Sequence, residues 1–305
     1  MGRWRIAALV AALMLGGCAE ALRQDVTRRD APLGTERLMS PAPHAFHWGR
    51  VEKGNPVRRG ALSERFELRD GDCGGSDCAN PRARAEVQTA RDANPARMGE
   101  DIWYGWSFLN ANVPSFDKDN SLRLVFGQWT AGGGNRPIFR LIQLGRGEGD
   151  FDGCDPRVCA GPASARGDVA VQLQDIAEAY GWGDAQNDGY VCRLFDLADR
   201  RGRWVDLVVN TNFAPGRDGY LRIWVDGRLA CDYRGPLVSP ATLAAGQEPR
   251  HRRGIYSSWT KRWSDAFGNR PRPSLVVYYD EFRTGTHRGA VDVAHLAAVG
   301  APPVD

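Results

Sequence analysis

The chain has 305 residues, of which 42% are hydrophobic, 10% aromatic and 25% charged, and its formal net charge is +3. These fractions are ordinary for a folded globular protein. The small net charge argues against a nucleic-acid-binding protein, which would need a concentrated basic field. Beyond the N-terminal segment, no apolar run is long enough to cross a membrane.

The first 18 residues predict an export signal of the bacterial lipoprotein type. Arg3 and Arg5 precede an apolar run over residues 6–15, and Leu15-Gly16-Gly17 then places small residues before Cys18, as in a lipobox. We expect Cys18 to carry a lipid that anchors the protein to a membrane of the cell envelope. Ala19 stands where aspartate would favour inner-membrane retention, so we expect the outer membrane. The alternative is an ordinary secretory signal with an incidental cysteine.

The remainder of the chain is predicted to form one domain with flexible ends. Residues 19–45 are expected to be a tether, residues 46–290 a single large domain and residues 291–305 a C-terminal tail. Nothing in the sequence calls for a second subunit, so we expect a monomer.

Strand patterns dominate this domain. Runs that are β-prone or alternate between apolar and polar residues occur at 62–68, 102–108, 121–129, 137–144, 204–210, 220–225 and 275–282. Asp218-Gly219 and Asp226-Gly227 are typical of hairpin turns, because glycine adopts the positive φ that such turns need. Helices are expected only around residues 170–180 and 240–245. Many short strands separated by turns predict an all-β, concanavalin-like jelly-roll sandwich, in which one curved sheet offers a concave groove to a polymer.

The cysteines support export. Seven are present, and removing Cys18 leaves an even number, which favours disulfides formed in an oxidising compartment. Proximity favours the pairs Cys73–Cys78, Cys154–Cys159 and Cys192–Cys231, although the sequence allows other pairings. A metal site built from the close pairs is disfavoured, because their CxxxxC spacing lacks a nearby histidine.

Two compositional features bear on ligands. Among the cations, only Lys53, Lys118 and Lys261 are lysines. A GC-rich genome would explain the excess of arginine, but guanidinium groups also suit the carboxylates and sulfates of an acidic polymer.

The second feature is the insertion at residues 145–167, expected to be a loop at the rim of the groove. Four carboxylates there could hold calcium, although a solvated acidic loop is the simpler interpretation; they are Glu148, Asp150, Asp152 and Asp155. We therefore expect no cofactor.

Several segments in chain order resemble the heparin-lyase-like and glucuronan-lyase-like polysaccharide lyases, from about His47 to Arg288. They are Arg84-Ala85-Glu86-Val87, Tyr104-Gly105-Trp106-Ser107-Phe108, Phe126-Gly127-Gln128-Trp129-Thr130, Tyr220-Leu221-Arg222-Ile223-Trp224-Val225-Asp226-Gly227, Gly254-Ile255-Tyr256 and Tyr279-Asp280-Glu281-Phe282-Arg283-Thr284-Gly285. The resemblance implies a sandwich whose concave sheet binds an acidic, uronate-containing polysaccharide and cleaves it by β-elimination.

The resemblance also implies roles for individual residues. Gln128 would neutralise the substrate carboxylate, and Tyr256 would be either the acid alone or both the acid and the base. Arg84 and Glu86 would line the groove, with a structural ion pair as the alternative. Trp106, Trp129 and Trp224 are expected in the core rather than as sugar platforms, because tryptophan buries a large apolar area.

One departure from the family pattern affects the mechanism. Thr130 stands where the family has histidine, and threonine cannot act as a base near neutral pH. Tyr256 could make both proton transfers, His251 could reach the groove, or the activity could be lost. The first hypothesis is therefore a cell-envelope lyase, and the second is a non-catalytic glycan-binding lipoprotein on the same fold. A structural envelope protein whose groove binds a peptide or another subunit is a third, weaker alternative.

Overall fold

A computed structural model describes residues 30–132, 136–147, 167–181 and 189–305. Three features predicted from the sequence lie outside these residues: the lipobox with Cys18, the acidic loop residues 148–155 and the Cys154–Cys159 pair. The described part contains no helix long and apolar enough to cross a membrane.

Two seven-stranded antiparallel sheets form the fold. The first, sheet A, has the spatial order β1 (Thr35–Met39), β4 (Ala83–Thr89), β13 (Arg250–Ser257), β6 (Leu124–Thr130), β7 (Phe139–Gln143), β8 (Val169–Gln172) and β9 (Tyr190–Phe195). The second, sheet B, has the order β12 (Arg228–Arg234), β11 (Tyr220–Val225), β10 (Trp204–Thr211), β5 (Ile102–Asn110), β14 (Leu275–Gly285), β3 (Leu62–Leu68) and β2 (Phe46–Arg50). The described helices are short: α1 (Gln174–Tyr180), α2 (Pro240–Ala244), α3 (Lys261–Phe267) and α4 (Val293–Ala298).

The core lies between the sheets and is rich in aromatic rings. Tyr104 on β5 meets Trp129 on β6 at 5.4 Å between ring centroids, and Phe108 meets Phe126 on the same two strands at 5.2 Å. These contacts cross from sheet B to sheet A, the first edge-on and the second tilted, and aromatic pairs of this kind stabilise the sandwich beyond simple area burial. The all-β sandwich predicted from the strand pattern is confirmed.

Local predictions were accurate where the strand pattern was strong. Strands β3 and β11 have the predicted bounds, and Asp226-Gly227 turns between β11 and β12 with φ values of +49° and +78°. Gly219 has a different role: a Cβ there would lie 2.2 Å from the carbonyl oxygen of Gly235, so the chain needs glycine for close approach. The helix expected at 170–180 begins only at Gln174, because the apolar run before it is strand β8. Short buried apolar runs do not distinguish helix from strand.

Two of the three predicted disulfides fall within the described residues, and both are present. Cys73–Cys78 closes a short loop before β4. Cys192 on β9 is bonded to Cys231 on β12, so this disulfide joins the edge of sheet A to the edge of sheet B.

The ends of the domain differ from the predicted boundaries. Strand β1 lies within the expected tether and pairs along its whole length with β4. Within the expected tail, α4 packs on the sandwich with Val293 fully buried, and Asp305 accepts hydrogen bonds from the backbone of Ala61 and Leu62 at 2.8 and 3.3 Å. Neither segment has a strong sequence pattern of its own. Each takes up its structure through contacts with residues distant in sequence, so the sequence did not reveal it.

Candidate active site

The outer face of sheet A carries a groove with a volume of about 550 Å³. Its described lining contains seven arginines and neither aspartate nor glutamate; the arginines are Arg82, Arg84, Arg123, Arg136, Arg140, Arg252 and Arg262. A cleft lined by charge of one sign concentrates ligands of the opposite sign. The groove is therefore suited to an anionic ligand.

Strand alternation brings the predicted site residues to this face. On β13, Arg252 and Tyr256 are four residues apart, so both side chains point to the same side, and Gln128 on β6 joins them. Arg84 on β4 lies directly across from Tyr256, whereas Gln128 lies across from Arg252. Tyr256 pairs with Val125, so it is displaced from Gln128 by three residues, or about 10 Å along the strands.

A buried polar network holds Gln128 and Arg84. The Gln128 Nε2 atom donates to both carboxylate oxygens of Glu86, at 2.8 and 3.0 Å, and Arg84 Nη1 donates to Glu86 at 2.9 Å. Arg84 also forms a two-pronged pair with Asp77, at 2.7 and 3.2 Å. Burial opposes the charge of Arg84, but Glu86 and Asp77 outweigh it and raise its pKa. The prediction that Glu86 lines the groove is wrong, because Glu86 is fully buried and lies outside the described lining. It positions its neighbours, as in the alternative of a structural ion pair with Arg84.

Tyr256 lies beneath the Arg84 guanidinium, whose carbon is 4.0 Å from the centre of the phenol ring. Only 7% of the residue is exposed. Burial raises the pKa of Tyr256, and the positive charge of Arg84 offsets only part of this shift. The phenol is therefore protonated near neutral pH and can donate a proton, while the adjacent cation stabilises the phenolate that forms when the proton leaves.

Arg252 is a site residue that the sequence reasoning missed. Its Nε donates to Gln88 at 2.6 Å, and within the described ranges it forms no ion pair with a carboxylate. Burial lowers the pKa of Arg252, although Glu86 and Tyr256 favour its charged form. A partly buried cation without a carboxylate partner is a natural contact for an anionic ligand. Its spacing of four residues from Tyr256 on a strand was the available signal.

A family model described as polysaccharide lyase matches residues 43–283. The chain belongs to the polysaccharide lyase family. Comparison with curated protein sequences gives no significant match.

A solved lyase structure has the same fold as this chain. The endo-β-1,4-glucuronan lyase from the fungus Trichoderma reesei aligns with a TM-score of 0.51 and 16% identity, over 87% of this chain and 92% of that one. The family 7 alginate lyase AlgAT5 aligns with a TM-score of 0.48 and 11% identity, over 83% and 94% of the two chains. At 16% identity, the similarity to the glucuronan lyase concerns the fold alone.

The prediction that His251 could reach the groove of the lyase is wrong. The side chain lies on the opposite face of β13 from Tyr256 and is 1% exposed. Its ring stacks on Phe282 with centroids 4.8 Å apart, and it lies 4.6 Å from the ring of Trp129. Side chains that are an odd number of positions apart on a strand point to opposite faces, and positions 251 and 256 differ by five.

The remaining predicted residues fall into two groups. Thr130 lines the groove of the lyase and is 6% exposed. Trp106 and Trp129 are core residues, as expected. The expectation that Trp224 also lies in the core is wrong: it is partly exposed and stacks on Trp103 on sheet B, away from the groove. Among the described residues, no cluster of three histidine, cysteine or carboxylate side chains could hold a metal ion.

Proposed function

We propose that this lyase cleaves an acidic, uronate-containing polysaccharide by β-elimination in the groove of sheet A. The observation that carries the proposal is the position of Tyr256 among seven arginines with no carboxylate in the described lining. A neutral polymer would gain little from such a surface, whereas a polymer with repeating carboxylates would be attracted along its length.

The reaction needs a neutralised carboxylate and two proton transfers. The C5 proton of a uronate sugar is weakly acidic until the attached carboxylate is neutralised. We assign this neutralisation to Arg252 together with Gln128, which lie across from each other on β13 and β6. Glu86 already engages the Gln128 amide, so Arg252 supplies the full charge.

Tyr256 is the residue we assign to proton transfer. Its phenolate takes the C5 proton, the electron pair forms the C4–C5 double bond, the C4–O bond breaks, and the leaving oxygen receives a proton from the tyrosine. One phenol can do both when the proton and the leaving oxygen are on the same face of the sugar. This route needs no histidine, so it is compatible with Thr130.

Non-catalytic glycan binding is the second candidate, favoured by Thr130 at the position where related lyases have histidine. The two candidates separate in one experiment on wild-type protein and Tyr256→Phe. Polymers of glucuronic, mannuronic and galacturonic acid are tested for the ultraviolet absorbance of the unsaturated product and, separately, for binding.

A lyase gives product absorbance that Tyr256→Phe abolishes without changing the melting temperature. Tyr278→Phe is the matched control, because Tyr278 is equally buried but lies on sheet B, where its hydroxyl contacts Asn55. Binding without product in wild type would establish the second candidate. A large drop in melting temperature for Tyr256→Phe would instead mark this tyrosine as a structural residue.

We also propose that the lyase acts in the cell envelope, anchored through a lipid on Cys18. The sequence before Cys18 and the two disulfides of the described domain support this location. Metabolic labelling with a fatty acid should mark the wild-type protein in the membrane fraction. The proposal is wrong if Cys18→Ser is labelled and sediments in the same way.

A further inference from the structure

One end of the groove has a large aromatic surface that the proposed chemistry does not use. Trp259 lies two residues after the end of β13 and lines the groove, with 42% of the residue exposed. That exposure leaves roughly 100 Å² of the side chain in contact with water. No ring contact or hydrogen bond of this indole occurs within the described part of the chain, in contrast to the stacked Trp129 and Trp224.

The backbone around Trp259 is held on both sides. The carbonyl of Arg123 accepts from the amide and the hydroxyl of Ser258, at 3.4 and 3.1 Å. The amide of Thr260 donates to the carbonyl of Pro81 at 2.7 Å. These bonds tie the segment to the starts of β6 and β4, so the indole is presented from a fixed backbone. A fixed platform loses less conformational entropy on binding than a mobile one.

The charges around this platform are positive. Arg123 is itself one of the two residues that hold the segment, Arg82 adjoins the other, and Arg262 lies three residues beyond Trp259. All three arginines line the groove. Arg123 has a φ of +47°, a strained value for a residue other than glycine, and its carbonyl is fixed by Ser258. Strain of this kind persists only where surrounding structure enforces it, often at binding sites.

We propose that Trp259 is the stacking platform of a sugar subsite at the Tyr256 end of the groove, and that it takes a uronic-acid residue of the bound polymer. The apolar C–H face of the sugar covers the indole, while the carboxylate at its edge faces Arg82, Arg123 and Arg262. The inference rests on the proposed function for the identity of the sugar, but stacking itself requires only that a glycan binds.

The test measures binding in the Tyr256→Phe background, where no cleavage occurs. The probes are β-1,4-linked oligomers of glucuronic acid and of mannuronic acid, two to six sugars long, titrated by calorimetry. Trp259→Ala should weaken the affinity for the longest oligomers about tenfold, as loss of one stacked ring does. Trp259→Phe, which keeps a ring, should retain most of the affinity. Trp224→Ala is the matched control, because Trp224 is a partly exposed tryptophan on sheet B.

A second measurement locates the contact directly. Hydroxyl-radical labelling followed by mass spectrometry should oxidise Trp259 in the free protein and spare it when the six-sugar oligomer is bound. The inference is overturned if Trp259→Ala binds within twofold of its parent, if the bound oligomer leaves Trp259 unprotected, or if no oligomer binds. Binding that depends on Trp259 in a protein that cleaves nothing would support the subsite and refute only the lyase reaction.

Discussion

The buried imidazole of His251 should make the fold sensitive to acid. Within the described residues neither ring nitrogen has a hydrogen-bond partner, and the ring is enclosed by Phe282, Trp129, Trp106 and Tyr104. Burial lowers the pKa of His251 well below its ordinary value, and Arg253 lowers it further. The folded protein therefore keeps this histidine neutral at pH values where the unfolded chain protonates it.

The size of this acid effect follows from the difference in the pKa of His251 between the folded and the unfolded chain. A histidine in the unfolded chain takes up a proton below pH of about 6.5, and each pH unit below that value favours unfolding by about 1.4 kcal/mol. Between neutral pH and pH of about 5 the wild-type protein should lose about 2 kcal/mol through this group alone. His251→Phe keeps an aromatic ring against Phe282 and removes the titrating group. Over the same change of pH, its free energy of unfolding should therefore fall by about 2 kcal/mol less than that of the wild type.

Urea unfolding at the two pH values measures the effect. His295→Gln is the control, because His295 is exposed on α4 and should leave the acid sensitivity of the wild type unchanged. Equal acid sensitivity of His251→Phe and the wild type would refute the argument and place the imidazole in contact with a partner or water.

Three further predictions concern the groove and the sandwich. Because burial raises the pKa of Tyr256 and the phenolate is the proposed base, kcat/KM should climb on the alkaline side of neutrality, and Arg84→Gln should move this rise to higher pH. Replacing Arg252 by Gln should lower kcat/KM about a hundredfold, through loss of a charge-assisted contact of about 3 kcal/mol, with little change in melting temperature. Replacing Cys192 and Cys231 by serine opens a loop of 39 residues and should lower the free energy of unfolding by about 4 kcal/mol, as measured by urea titration.

Each of these has a contradicting result. A flat pH profile above neutrality would remove Tyr256 as the base. Arg222→Gln, on sheet B and paired with Asp232, is the control for Arg252→Gln, and equal kinetic effects of the two would assign Arg252 no role in the reaction. Unchanged stability of the double serine variant would mean that the edges of the two sheets stay together without the disulfide.

The sequence predicted the fold better than it predicted the site. Strands such as β3 and β11 combine β-prone residues with clear ends, so local pattern sufficed. Strand β1 could not be found this way, because Thr35–Met39 becomes a strand only by pairing with β4. The position of His251 could not be predicted from local pattern either, because it depends on which face of β13 packs against the core.

The site residues show a similar division. Motif order placed Tyr256 and Gln128 on the groove face, where the structure has them. Motifs did not reveal that Glu86 engages the amide of Gln128, or that Arg252 has no carboxylate partner among the described residues. Such pairings depend on strands distant in sequence, so only the assembled sheet shows them.

The loop closed by Cys73–Cys78 contains a residue that positions a side chain of the groove. Asp77, which holds Arg84 over the Tyr256 ring, lies between Cys73 and Cys78. When that bond is reduced, the loop gains freedom and the aspartate loses its fixed position. If Tyr256 transfers protons as proposed, the cation that stabilises its phenolate would be fully positioned only under oxidising conditions.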